Sequence, residues 1–168
     1  MKTNRLAIQL VCTMLLAITL NTSGQVKLPR LLSDGMVLQR ESDVKIWGWA
    51  KAHEKITVEF TDSVYQTSAD ASGNWSVTMT GLKAGGPHTM IVRAEDTLVI
   101  RDILVGDVWV CSGQSNMEIN MKRVSPLYEK EIAQCENNAI RYFEVPKKYN
   151  FKQPQQDLPG GKWVAAHP

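Results

Sequence analysis

The chain has 168 residues, 43% hydrophobic and 21% charged. That composition fits a globular protein and excludes a disordered, collagen-like or coiled-coil chain. The formal charge is +2, but residues 1–24 hold Lys2, Arg5 and no acid, so the remainder is neutral and offers no electrostatic case for nucleic acid or an anionic membrane.

Lys2 and Arg5 precede an apolar run from Leu6 to Leu20, and Thr22, Ser23 and Gly24 follow. A charged start, a short apolar stretch and a small-residue exit read as a secretory signal peptide cleaved after Gly24. Gln9, Thr13 and Thr19 interrupt the run, which falls short of the ~20 apolar residues a span needs. No stable membrane insertion is expected once the leader is removed. A lipid-anchored start at Cys12 would cut the apolar stretch in half. The expected destination is the periplasm or the medium.

Residues 25–104 read as short strands and turns. Ile56, Val58 and Phe60 alternate with Thr57, Glu59 and Thr61, and Trp75, Val77 and Met79 with Ser76, Thr78 and Thr80. A period of two means one buried face and one wet face. Val44–Trp49 and Thr89–Ala94 are β-rich in the same way. Ser33-Asp34-Gly35, Ser72-Gly73-Asn74 and Gly85-Gly86-Pro87 supply turn signals. Even spacing without a helical period predicts a small antiparallel β-sandwich of seven or eight strands. Trp47, Trp49 and Trp75 read as its core rather than as a platform for sugar rings.

The pattern changes near Val105. Residues 104–111 form a nearly continuous apolar run, expected to be a strand buried on both faces. A polar turn at 112–116 follows. Pro126–Glu136 is expected to be a helix, with Ser125 as its cap, and Ala139–Val145 a second strand. Strand, turn, helix and strand open an α/β domain. Residues 105–168 cannot complete one, because a parallel sheet needs several βαβ units of about 30 residues. The fold class expected is therefore mixed: a sandwich over 25–104, then the truncated start of an α/β domain over 105–168. The coding sequence is expected to continue past Pro168. Cys111 and Cys135, the cysteines outside the leader, can pair or remain thiols, and buried thiols are expected. No CxxC and no His/Cys cluster is present, so neither a metal nor an organic cofactor is expected.

The chemistry points to Gly106–Met117. A serine at the C-terminal end of a buried strand, just before a helix, is placed for nucleophilic attack. Glycine and small neighbours expose its hydroxyl, and nearby N–H groups can face an oxyanion. Ser115 and Ser112 both qualify. Met117 stands where the G-x-S-x-G elbow has its second glycine, which disfavours an ordinary α/β-hydrolase.

Gly113-Gln114-Ser115-Asn116-Met117, after Val108-Trp109-Val110-Cys111-Ser112, resembles the nucleophile block of the sialate O-acetylesterase family of SGNH-type hydrolases. Leu28-Pro29, Ser33–Arg40, Ile46–Ala50, Asp70–Trp75 and Gly85–His88 resemble that family's N-terminal β-domain. Ala139–Phe143 and Trp163 resemble segments after the serine helix. The resemblance covers most of residues 26–168. It implies an exported carbohydrate O-acetylesterase with an α/β, flavodoxin-like catalytic domain. Its substrate would be an O-acetylated sialic acid or a related sugar or glycan. Ser115 would be the nucleophile and its own N–H an oxyanion donor, with Gln114 and Asn116 shaping the site.

The chain departs from the family at the base. The family carries a late Asp-x-x-His, and none occurs here. His53 and His88 fall in the sandwich region. His167 lies ten residues from Asp157 in a loop-like tail. A serine without a positioned base is a weak nucleophile, so this chain alone is expected to turn over negligibly. Asp107 is expected at a strand start, away from the serine. The reading from a different class is a glycan-binding or purely structural β-sandwich without catalysis.

Overall fold

The computed structural model describes residues 25–168. The leader, its exit after Gly24 and Cys12 lie outside the described residues. Seven strands come first: β1 (Val37–Gln39), β2 (Val44–Trp49), β3 (Lys55–Phe60), β4 (Ser63–Ser68), β5 (Asn74–Met79), β6 (Gly85–Arg93) and β7 (Thr97–Gly106). They form a five-stranded sheet in the order β1-β7-β6-β3-β4 and a two-stranded sheet of β2 and β5.

Alternation explains how the two sheets share a core. In β3, Ile56, Val58 and Phe60 are buried, while Lys55, Thr57 and Glu59 are not. In β5, Trp75, Val77 and Met79 are buried between exposed Asn74, Ser76 and Thr78. These residues join Met36, Ile46, Met90, Val92 and Ile103 in one apolar cluster. Among the described residues no polar or charged residue is buried. Each fully buried apolar side chain contributes roughly 1.5–3 kcal/mol relative to exposure. Gly48 sits between two tryptophans because the backbone of Lys27 crosses it. A Cβ there would lie 2.1 Å from the Lys27 carbonyl oxygen and 3.0 Å from Trp75 Cζ2. Both backbone bonds between Lys27 and Trp49 depend on that approach, at 2.8 and 2.9 Å.

Several expectations change. The two-sheet unit is not wholly antiparallel, because β1 pairs parallel with β7 through Val37–Leu104, Leu38–Val105 and Gln39–Gly106. The chain leaves β1 for the other sheet, so no hairpin forces antiparallel return. Gly85-Gly86-Pro87 is not a free turn. It opens β6, where the register with β7 shifts, and the positive φ of both glycines accommodates the irregularity. The strand expected at 104–111 ends instead at Gly106. Residues 107–113 form no element, and Val110 is 93% exposed.

The helix expected over Pro126–Glu136 is shorter and divided. A 3₁₀ turn spans Met121–Leu127 with Pro126 inside it, and α1 covers Glu129–Ala133. Asn120, not Ser125, caps the 3₁₀ turn: its side chain accepts the Arg123 N–H at 3.1 Å. None of the residues in α1 is buried, so packing does not extend it. Strand β8 runs Asn137–Phe143, close to the expected segment, and pairs antiparallel with β9 (Trp163–Ala166), which the sequence did not announce.

Candidate functional site

The segment that carries Ser115 is tied to the two-sheet unit at both ends. Where β7 stops, Arg40 Nε donates to Asp107 Oδ1 at 2.9 Å, and the Val108 N–H donates to Gln39 Oε1 at 2.8 Å. The Arg40 hydrogen bond holds the Asp107 carboxyl below its ordinary range. Asp107 therefore fixes the exit from β7. At the far end Arg141, on β8, returns to the sheet. Its side chain is 7% exposed. It donates to the Gly35 carbonyl at 2.9 Å, to the Asp102 carbonyl, and to Asp102 Oδ1 at 2.8 Å. Trp163 on β9 adds an indole N–H to the Leu31 carbonyl at 2.8 Å, and Asp157 accepts the Arg30 N–H at 3.0 Å.

Between these ties Ser115 opens a 3₁₀ turn, Ser115–Glu118. Gln114 is extended at the turn's N-cap, and its carbonyl accepts the Met117 N–H at 2.9 Å. The Asn116 carbonyl accepts the Ile119 N–H at 3.2 Å. Gln114, Ser115 and Asn116 are all exposed, as are Ser112 and Cys111. A turn of this kind leaves its first N–H groups, those of Ser115 and Asn116, without an intrahelical acceptor. Unpaired backbone N–H groups are the type of donor that an anionic oxygen accepts from.

No described residue hydrogen-bonds the Ser115 side chain. His88 is half-buried, its ring edge-on to Phe60 at 5.6 Å between centroids. His53 sits in a turn at φ +63°. Among the described residues His167 Nδ1 pairs with the Pro168 carbonyl, at 2.9 Å, and Asp157 accepts from the Arg30 N–H. The described residues thus place N–H groups without an intrahelical acceptor beside Ser115, and no histidine or carboxylate among them is hydrogen-bonded to its side chain. Both thiols are free, but Cys111 is exposed and Cys135 half-buried, so the expectation of buried thiols fails. Exposure follows from the absence of a strand at 107–113, which leaves Cys111 with no sheet to enter. No group of three or more metal-ligating side chains occurs among the described residues. A groove of about 610 Å³, lined by Gly35, Pro87, Asp102, Asn138, Arg141 and Trp163, marks the seam between hairpin and sheet. Ser115 does not line it.

Sequence reasoning missed Gln39, Arg40 and Arg141 as residues that hold this segment. Gln39-Arg40 was in view as the end of a motif, and an acid at Asp107 was its complement. Arg141 gave no such signal, because three of its four partners are main-chain carbonyls.

No family model matches the chain. Among curated proteins it is 33% identical over 135 residues to the sialate O-acetylesterase of Rattus norvegicus, covering 73% of this chain and 24% of that protein. It is 34% identical over 105 residues to the sialate O-acetylesterase of Homo sapiens, covering 55% of this chain and 20% of that one. The chain therefore spans less than two thirds of the relatives' length. Among solved structures it is similar to a carbohydrate acetylesterase from Xanthomonas citri, with a TM-score of 0.80 and 40% identity over 84% of this chain and 33% of that one.

Proposed function

We propose, for a chain that belongs to the sialate O-acetylesterase family, that it is the part of an exported serine esterase that carries the nucleophile. The two-sheet unit is read as the N-terminal β-sandwich, and the segment after it as the opening of an SGNH-type α/β domain. The substrate class is an O-acetylated sugar: a sialic acid, or an acetylated polysaccharide. The observation that carries this reading is Ser115, exposed on a 3₁₀ turn with free N–H groups beside it, inside a segment related to acetylesterases.

In the proposed reaction Ser115 Oγ attacks the acetyl carbonyl while a base takes its proton. The tetrahedral oxyanion rests on the Ser115 and Asn116 N–H groups. The C–O bond to the sugar breaks, and the sugar oxygen takes the proton back as it leaves. Water then attacks the acetyl-serine, giving acetate and the free hydroxyl. The base and its orienting carboxylate come from outside residues 25–168.

Two measurements test this. The coding frame beyond the Pro168 codon is expected to supply an Asp-x-x-His; a stop codon there removes the enzyme reading from this chain. In the complete protein Ser115→Ala is expected to lower acetylesterase kcat by at least about 10³-fold. A wild-type rate in that variant sinks the assignment.

A further inference from the structure

The outer face of the β2–β5 sheet carries side chains that the serine segment does not use. Alternation along β2 buries Ile46 and Gly48 and puts Lys45, Trp47 and Trp49 on the opposite face. Along β5 it exposes Asn74, Ser76 and Thr78. The register sets Trp47 opposite Ser76 and Trp49 opposite Asn74. Two indoles thus stand about 7 Å apart along one strand, facing a row of small polar side chains. Thr67, Ser68 and Asp70 help to close an open groove of about 400 Å³. Both indoles are half-buried, and Trp47 also touches the core.

One further observation points to a ligand of a particular kind. Lys45 and Asp70 are the charged residues of the lining, one of each sign, so the groove has no net charge with which to select an ion.

We propose that this groove binds neighbouring neutral pyranose units of a polysaccharide. A pyranose ring offers a flat C–H face and a rim of hydroxyls. The indoles take the face through dispersion and weak C–H contacts. Asn74, Ser76 and the Asp70 carboxylate take the rim. Two indoles at strand spacing suit two consecutive units rather than a single sugar. The groove lies on β2–β5, whereas Ser115 follows β7, so this is a holding site for the polymer and not the acetyl-transfer site.

The test is a titration of the intrinsic tryptophan fluorescence of the full chain with xylohexaose. Saturable quenching is expected. Trp49→Ala is expected to weaken it roughly five- to tenfold with an unchanged circular dichroism spectrum. Ser76→Arg, at an exposed position opposite Trp47, fills the groove without touching the core and is expected to abolish binding. The absence of saturable quenching in the wild type, or wild-type affinity in both variants, overturns the proposal. Ser115→Ala is expected to bind xylohexaose as the wild type does, so loss of the esterase reading leaves this one standing.

Discussion

At the scale of single residues, Arg141 and Gly35 form one joint. The guanidinium satisfies the Gly35 and Asp102 carbonyls, and Gly35 sits at φ +79° with Trp163 Cβ 3.3 Å from where its own Cβ would be. Arg141→Met keeps the apolar stem but strands those acceptors, which costs about 1–3 kcal/mol. Limited proteolysis is expected to cut within residues 137–168 of this variant first, leaving the two-sheet unit whole. An unchanged cleavage pattern would show that the hairpin docks without the arginine. Gly35→Ala forces a left-handed conformation on alanine, worth roughly 1–2 kcal/mol, and crowds Trp163 as well. A urea melt is expected to show that loss.

At the scale of elements, the strands that could be read from sequence are those with one wet face. Ile56-Thr57-Val58-Glu59-Phe60 and Trp75–Met79 alternate cleanly, and both were placed to within a residue or two. The run at 104–111 misled because apolar content without alternation does not distinguish a buried strand from an exposed coil awaiting a partner. Strand β9 was illegible for another reason: it is four residues long and draws its partner from about 20 residues upstream. The polar turn that carries Ser115 was legible as a break after a strand, while the ties at Gln39, Arg40 and Arg141 were not, since they arise from pairings as distant as β1 with β7.

The turns and strand pairs also carry a pH dependence. A hydrogen bond from Arg93 lowers the Glu59 carboxyl below its ordinary 4.5, and the Asn74 backbone N–H lowers that of Asp70 below 3.8. Lowered folded-state values give stability that is fully present above the unfolded values and lost as pH falls through the folded ones. The melting temperature is therefore expected to hold at neutral pH and to drop progressively below about pH 4.5. Asp70→Asn, which no longer titrates, is expected to flatten that fall. An equal slope in the variant would remove Asp70 from the account.

At the scale of the whole molecule, the two halves differ in how they are finished. The two-sheet unit encloses most of its large apolar residues, with Val64 the most exposed at 63%, whereas the segment after it displays Trp109 at 84% exposure, Val110 at 93% and Phe151 at 94%. Exposed apolar surface of this kind favours association. The isolated chain is expected to self-associate with rising concentration in sedimentation velocity, and Val110→Lys with Phe151→Ser to reduce it. Concentration-independent sedimentation of the wild type would contradict this.

The parallel pairing of β1 with β7 sets an order of events in folding. Val37–Gln39 gains its partner only when Leu104–Gly106 is in place, after the 57 intervening residues 40–96 have formed the strands between. Such a non-local closure comes late, because the loop entropy must be met before the contacts reward it. Gln39 and Arg40 sit at the end of that closing strand, and they are the residues that grip Val108 and Asp107. A chain that has not finished its β-unit therefore lacks the grip on Val108 and Asp107 that sets where the serine segment begins.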